Sequence, residues 1–122
     1  MWCRGIRGAT TAESNTKEDI LNSTKELLRK MTEANDIRAE NVAFAIFTTT
    51  QDLDAEFPAA AARQLGWAHV ALLCAQEMNV PNSLKRCIRI LILYNTDKSA
   101  DEIVNVYIKG ATTLRGAASR KE

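Results

Sequence analysis

At 122 residues the chain is long enough for one domain that buries roughly two thirds of its unfolded surface. Sixteen Lys and Arg stand against fifteen Asp and Glu, a formal charge of +1, so no global field favours nucleic acid or an anionic membrane, and any anion recognition must be local. The three cysteines, Cys3, Cys74 and Cys87, have no Cys-x-x-Cys spacing and read as reduced, buried small hydrophobes, while the lack of a signal-like or membrane-length apolar run points to a soluble cytoplasmic protein.

The first strand is expected over residues 2–7, with Arg7 on the face of Cys3 and Gly5 and opposite Trp2, Arg4 and Ile6. Gly8 should end it. Gly5 leaves space over the strand, for either a β-bulge or the close approach of a bound molecule. Thr16 is a good N-cap, with Asp19 three residues on, for a helix of about five turns whose apolar stripe is Ile20, Thr24, Leu27, Leu28 and Met31. Its Lys17, Glu18, Lys25, Glu26, Arg29 and Lys30 make a solvated outer face, and Asn35-Asp36 closes it.

Residues 42–50 read as a central strand, apolar on both faces and β-branched at the end. A polar connection follows, then a short helix with Pro58 in its first turn, stopped by Gly66. Phe57, just ahead of it, is either a core staple or one wall of a pocket. Residues 68–75 read as a third strand, on which His69 and Cys74 face opposite sides, so neither a Cys-His dyad nor a shared metal is geometrically easy. Glu77 lies in the loop over 76–83 beyond it.

The strand over 84–94 carries the most informative residue. Arg89 shares a face with Cys87, Leu91 and Leu93, while Ile88, Ile90, Ile92 and Tyr94 take the other. Both faces are apolar and should be covered. A guanidinium there keeps its proton, so it needs an anion, a wet cleft or a ligand; a gatekeeper charge and an ion pair with Glu77 are the plainer readings. Ser99 and Glu102 form a capping box for a short helix bearing Ile103, Val104 and Val106, with Tyr107 near its end. Residues 111–115 can form a last strand, and 116–122 a polar tail.

The order of elements implies an α/β (α+β) chain: a single-domain mixed β-sheet with one long and two short helices, a domain over residues 1–115 and the tail over 116–122. There is no phosphate-binding glycine loop. The aromatic residues do not interleave with basic ones, which argues against stacking on nucleic-acid bases.

Arg4-Gly5-Ile6-Arg7-Gly8-Ala9-Thr10-Thr11, Asp52-Leu53, Phe57-Pro58-Ala59 with Arg63, Cys74, Gln76-Glu77-Met78, Leu84-Lys85 with Cys87-Ile88-Arg89, Val106-Tyr107 and Leu114-Arg115 follow one another in this order. Together they resemble the monofunctional bacterial chorismate mutases of the α/β class. The resemblance implies a trimeric pseudo-barrel assembly, a homotrimer with active sites between subunits, and conversion of chorismate to prephenate on the route to phenylalanine and tyrosine, with no cofactor and no metal. Carried over, it puts Arg89 at the ether oxygen and Arg7 with Tyr107 on the enolpyruvyl carboxylate. Glu77 with Cys74 would contact the ring hydroxyl. Phe57, Leu73 and Leu114 would line the pocket, and Arg63 and Arg115 would stand near its mouth. The chain departs from that family at Ala60, where members can carry lysine, and in lacking one residue before Trp67. An imine or enamine deaminase-like trimer using Arg89 and Glu77, and a non-catalytic protein that binds a small carboxylate, stay open beside it.

Overall fold

The first strand does not stop at Gly8. In the computed structural model, which describes residues 1–114, β1 runs over Trp2–Thr11. A Cβ on Gly8 would lie 2.3 Å from Met31 Sδ. The missing side chain therefore serves helix-to-sheet approach and not a turn. The helix above it, α1 (Lys17–Asn35), starts as expected, with the Thr16 hydroxyl accepting the Asp19 amide, and ends at Asp36 in the left-handed region.

Four more strands and one further α-helix follow: β2 (Val42–Thr49), α2 (Ala59–Gln64), β3 (Ala71–Gln76), β4 (Cys87–Thr96) and β5 (Val106–Tyr107). They form one mixed sheet in the order β3-β2-β4-β1-β5, with β4 antiparallel to β1 and β2, and with β3 and β5 parallel to their neighbours. The expected central place of β2 holds, and β4 is central too. Gly5 pairs with Leu93 in unbroken register, so no bulge stands there; the one irregularity lies between Val42 and Phe44.

One face of the sheet is closed within the chain. Ile6, Phe47, Ile90 and Ile92 pack with Leu27, Leu28 and Met31 of α1 and with Ala62 and Trp67 around α2. Each large aliphatic side chain buried there contributes about 1.5–3 kcal/mol. The other face stays open: Phe44 is 36% and Leu73 60% exposed, Leu91 and Leu93 are half-buried, and Cys3, expected in the core, is exposed. The coverage expected on both faces of β4 is thus complete on one face; on the other, this chain buries only the start of the strand, at Cys87, with Ala9, Tyr107 and Ala111.

Three expectations are corrected. The strand foreseen from residue 68 begins at Ala71, so His69 lies on a turn. The helix foreseen after Ser99 is a single 3-10 turn, Ala100–Glu102, although its capping box forms. Beyond it the β-branched residues go extended because side chains hold their backbone: Asn35, 1% exposed, bonds both the amide and the carbonyl of Val104, and Asn105 Oδ1 accepts the Arg7 amide at 2.8 Å. The strand foreseen over 111–115 is instead a 3-10 turn, Lys109–Ala111, followed by helical backbone over 112–114. Arg115 and the tail lie outside the described residues.

Candidate active site

Sheet register brings the candidate residues together. Thr48 pairs with Arg89, Arg89 with Ala9, and Ala9 with Tyr107. These four stand in one transverse row over β2, β4, β1 and β5. Arg7 lies two residues before Ala9, which by strand alternation puts it on the same face. At the other end of the row the Glu77 amide donates to Thr49 O at 2.9 Å, which keeps the chain leaving β3 beside the end of β2.

The row floors a cleft of about 590 Å³ whose walls include Arg7, Ala9, Ile46, Thr48, Glu77, Arg89, Leu91, Tyr107 and Leu114. Ala9 keeps the space between Arg89 and Tyr107 clear. Arg89 Nε stands 3.3 Å from Glu77 Oε2, and the Thr48 hydroxyl donates to the same oxygen. The ion pair foreseen as a plain alternative therefore exists, but inside the cleft. Its charges are not sealed: the Arg89 side chain is 47% and that of Glu77 24% exposed, so Arg89 is less buried than its strand pattern suggested.

Two cations and one carboxylate line the space. Arg7 pairs with no carboxylate among the described residues. The cleft is thus locally cationic in a nearly neutral chain, and its walls are otherwise largely apolar. Such a site suits a small anion with a partly apolar carbon skeleton. Cys87 lies beneath Arg89, buried with Ala9, Tyr107 and Ala111. Burial pushes its thiol up against the opposing influence of the Arg89 charge, so the sulfur stays protonated and unreactive.

The remaining predicted residues are elsewhere. Phe57, 68% exposed, and Cys74 line a separate cleft of about 310 Å³ with Leu53, Pro58 and Gln76. Leu73 stands on the open face beside Ile46 by register. Arg63 is exposed on α2 and lines neither cleft. One chain therefore unites Arg7, Glu77, Arg89, Tyr107 and Leu114, but separates them from Phe57, Arg63, Leu73 and Cys74. Thr48 was missed by sequence reasoning, although its signal was present: a hydroxyl on the open face of a central strand, in register with Arg89.

Residues 3–117 match the family model for chorismate mutase type I. Chorismate mutase AroH of Thermus thermophilus is 53% identical over 113 residues, which span 92% of this chain and 93% of that protein. Chorismate mutase AroH of Bacillus subtilis strain 168 is 47% identical over 116 residues, 94% of this chain and 91% of its own. Among solved structures, a chorismate mutase from Clostridium thermocellum superposes with a TM-score of 0.90 at 46% identity, covering 93% of this chain and all of its own.

Proposed function

This chain belongs to the chorismate mutase type I family, and from that membership we infer that it converts chorismate to prephenate in the cleft around Arg89. The observation that carries this reading is the row of Arg89, Ala9 and Tyr107 with Arg7 beside it, two guanidiniums around an apolar space. Family membership decides against the deaminase and binding-only readings.

The rearrangement is unimolecular. One carbon-oxygen bond breaks as one carbon-carbon bond forms, and no proton needs to move. Catalysis then consists of holding the folded substrate so that its ends meet and of stabilising the negative charge that grows on the ether oxygen. Arg89 is the group for that oxygen, because β4 is held on both sides and Glu77, itself bonded by Thr48, restrains the guanidinium. Arg7 and Tyr107 take the enolpyruvyl carboxylate. Glu77 accepts the ring hydroxyl, and Leu114 packs against the skeleton. Since only interactions stronger in the transition state raise the rate, Arg89 governs turnover and Arg7 governs binding.

The second carboxylate of the substrate needs a further cation, and a homotrimer supplies it. The open apolar face supports assembly. So does the separation of Phe57, Arg63, Leu73 and Cys74 from the Arg89 cleft: across an interface, one subunit's second group would complete its neighbour's first. Three free thiols fit a reducing cytoplasm. No helix among the described residues is long and apolar enough to cross a membrane.

The test is to add chorismate to the purified protein and follow loss of its diene absorbance, with the product identified. Prephenate formation supports the reading, and a folded protein that leaves chorismate unchanged refutes it. Sedimentation should give the mass of three chains; the mass of one chain at working concentration would refute shared sites.

A further inference from the structure

Asp52 is exposed and lines no part of the Arg89 cleft, yet its carboxylate is fully engaged. It accepts the Arg86 amide at 2.9 Å on Oδ2 and 3.2 Å on Oδ1, and the Thr50 hydroxyl donates to Oδ1 at 2.5 Å. The Thr50 oxygen in turn accepts the Cys87 amide at 3.0 Å, and the Thr50 amide donates to Cys87 O at 3.0 Å. The turn that presents Asp52 is itself anchored. Leu53 is buried, its amide donates to Thr50 O, and its carbonyl accepts the Thr49 hydroxyl.

The junction held in this way is disfavoured on its own. Arg86 adopts φ 48 without being glycine, a left-handed conformation that persists only where the surroundings impose it. Asp52 takes its amide, while Ala12 takes its Nε at 3.2 Å and donates to its carbonyl at 2.9 Å. Arg86 thus stands between the ends of β1 and β2, one residue before β4 begins and three before Arg89. The other end of the same loop is tied to the same turn, because the Glu77 amide bonds Thr49 O.

We propose that Asp52, acting with Thr50, is a positioning residue that sets where Arg89 and Glu77 stand in the cleft by clamping the Arg86–Cys87 junction and the loop that leads to it. The effect passes through backbone. A carboxylate suits the place because both oxygens accept donors there. This inference rests on the chorismate mutase reading of the cleft.

The experiment compares the parent with Asp52→Ala, Asp52→Asn, Thr50→Val and the double variant Asp52→Ala/Thr50→Val, measuring kcat and KM for chorismate and hydrogen exchange at the Cys87 amide. Displacing a charge-stabilising group by a fraction of an ångström lowers turnover more than binding, so kcat should fall about tenfold in Asp52→Ala, and less in Asp52→Asn, with KM within about threefold. Exchange at Cys87 should accelerate. The double variant should lose no more than the worse single one, because both side chains act on one junction. An unchanged kcat, a loss confined to KM, or losses that multiply would overturn the proposal. If Asp52→Ala does not fold, Asp52→Asn and Thr50→Val carry the same comparison. A folded parent without turnover would overturn the mutase reading and this inference together, whereas an active parent with equally active variants would overturn this inference alone.

Discussion

On β4, neighbouring residues have opposite fates. Ile88, Ile90, Ile92 and Tyr94 are at most 5% exposed under the helices, while Arg89 is exposed and Leu91 and Leu93 are half-buried on the reverse side. The same contrast runs through β1 between Ile6 and Arg7, and through β2 between Phe47 and Ile46. One face is finished by the chain's own helices and carries its stability. The other is unfinished, and there charged side chains persist because water or a ligand can reach them. A single set of strands thus separates most of the folding core from the chemistry by side-chain alternation, with a small buried cluster of Ala9, Cys87, Tyr107 and Ala111 beside the cleft.

Substitutions on the two faces should therefore read out in different assays. Phe47, fully buried among α1, α2 and the sheet, should cost about 3–5 kcal/mol of stability when changed to Ala, measured by urea unfolding. Next comes Arg89→Ala, which removes the donor for the ether oxygen. It should lower kcat at least about a hundredfold, or about 3 kcal/mol, with the unfolding midpoint nearly unchanged. A turnover number within about threefold of the parent would break the contrast, since the open face would then hold no chemistry. Arg89→Lys should also fail, because an ammonium lacks the forked donors that can bond Glu77 and substrate together. Smaller again is Gly8→Ala on the closed face, where the new methyl meets Met31, itself fully buried. It should destabilise by about 1–3 kcal/mol while kcat of the folded fraction stays near that of the parent. A loss of kcat without loss of stability would show that the faces are coupled.

The closed face was legible because its signal is periodic and local. The stripe from Ile20 to Met31 and the alternation along β4 specify which side meets the helix, and the Thr16 cap and Ser99–Glu102 box formed as read. What misled were residues whose role is set by distant partners. Gly8 reads as a strand end, but its lack of a side chain answers Met31 on α1. Ile103 to Tyr107 read as a helix because a capping box precedes them; Asn35, 69 residues away, and the Arg7 amide, which Asn105 accepts from 98 residues away, hold the segment extended. Of the site, Glu77 and Arg89 stood out as charges in or beside apolar strand sequence, and Arg7 was marked by the family resemblance. The register that unites them with Tyr107, and the second cleft that holds Phe57 and Cys74 apart, follow from strand order, which local patterns do not encode.

Asp52 belongs to neither face, and its titration sharpens the contrast by the smallest effect. Burial tends to raise its carboxyl, but hydrogen bonds from the Thr50 hydroxyl and the Arg86 amide, with the Arg86 charge, outweigh that and hold it below the ordinary 3.8. A carboxyl whose pKa is lowered by folding stabilises the folded chain fully above the unfolded value, and that contribution is lost as pH falls through the folded value. In Asp52→Asn the contribution is missing at every pH. The difference in melting temperature between parent and variant should therefore be constant above pH 3.8 and shrink below it. Asp101 and Glu102 are also held low, through the Ser99 hydroxyl and the Ser99 amide respectively, but they occur in both proteins and cancel in the difference. A gap that persists far below 3.8 would mean that Asp52 clamps the start of β4 by shape and not by charge. The loop would then depend on the packing of Leu53, and the ionised carboxylate would have no part in holding Arg86.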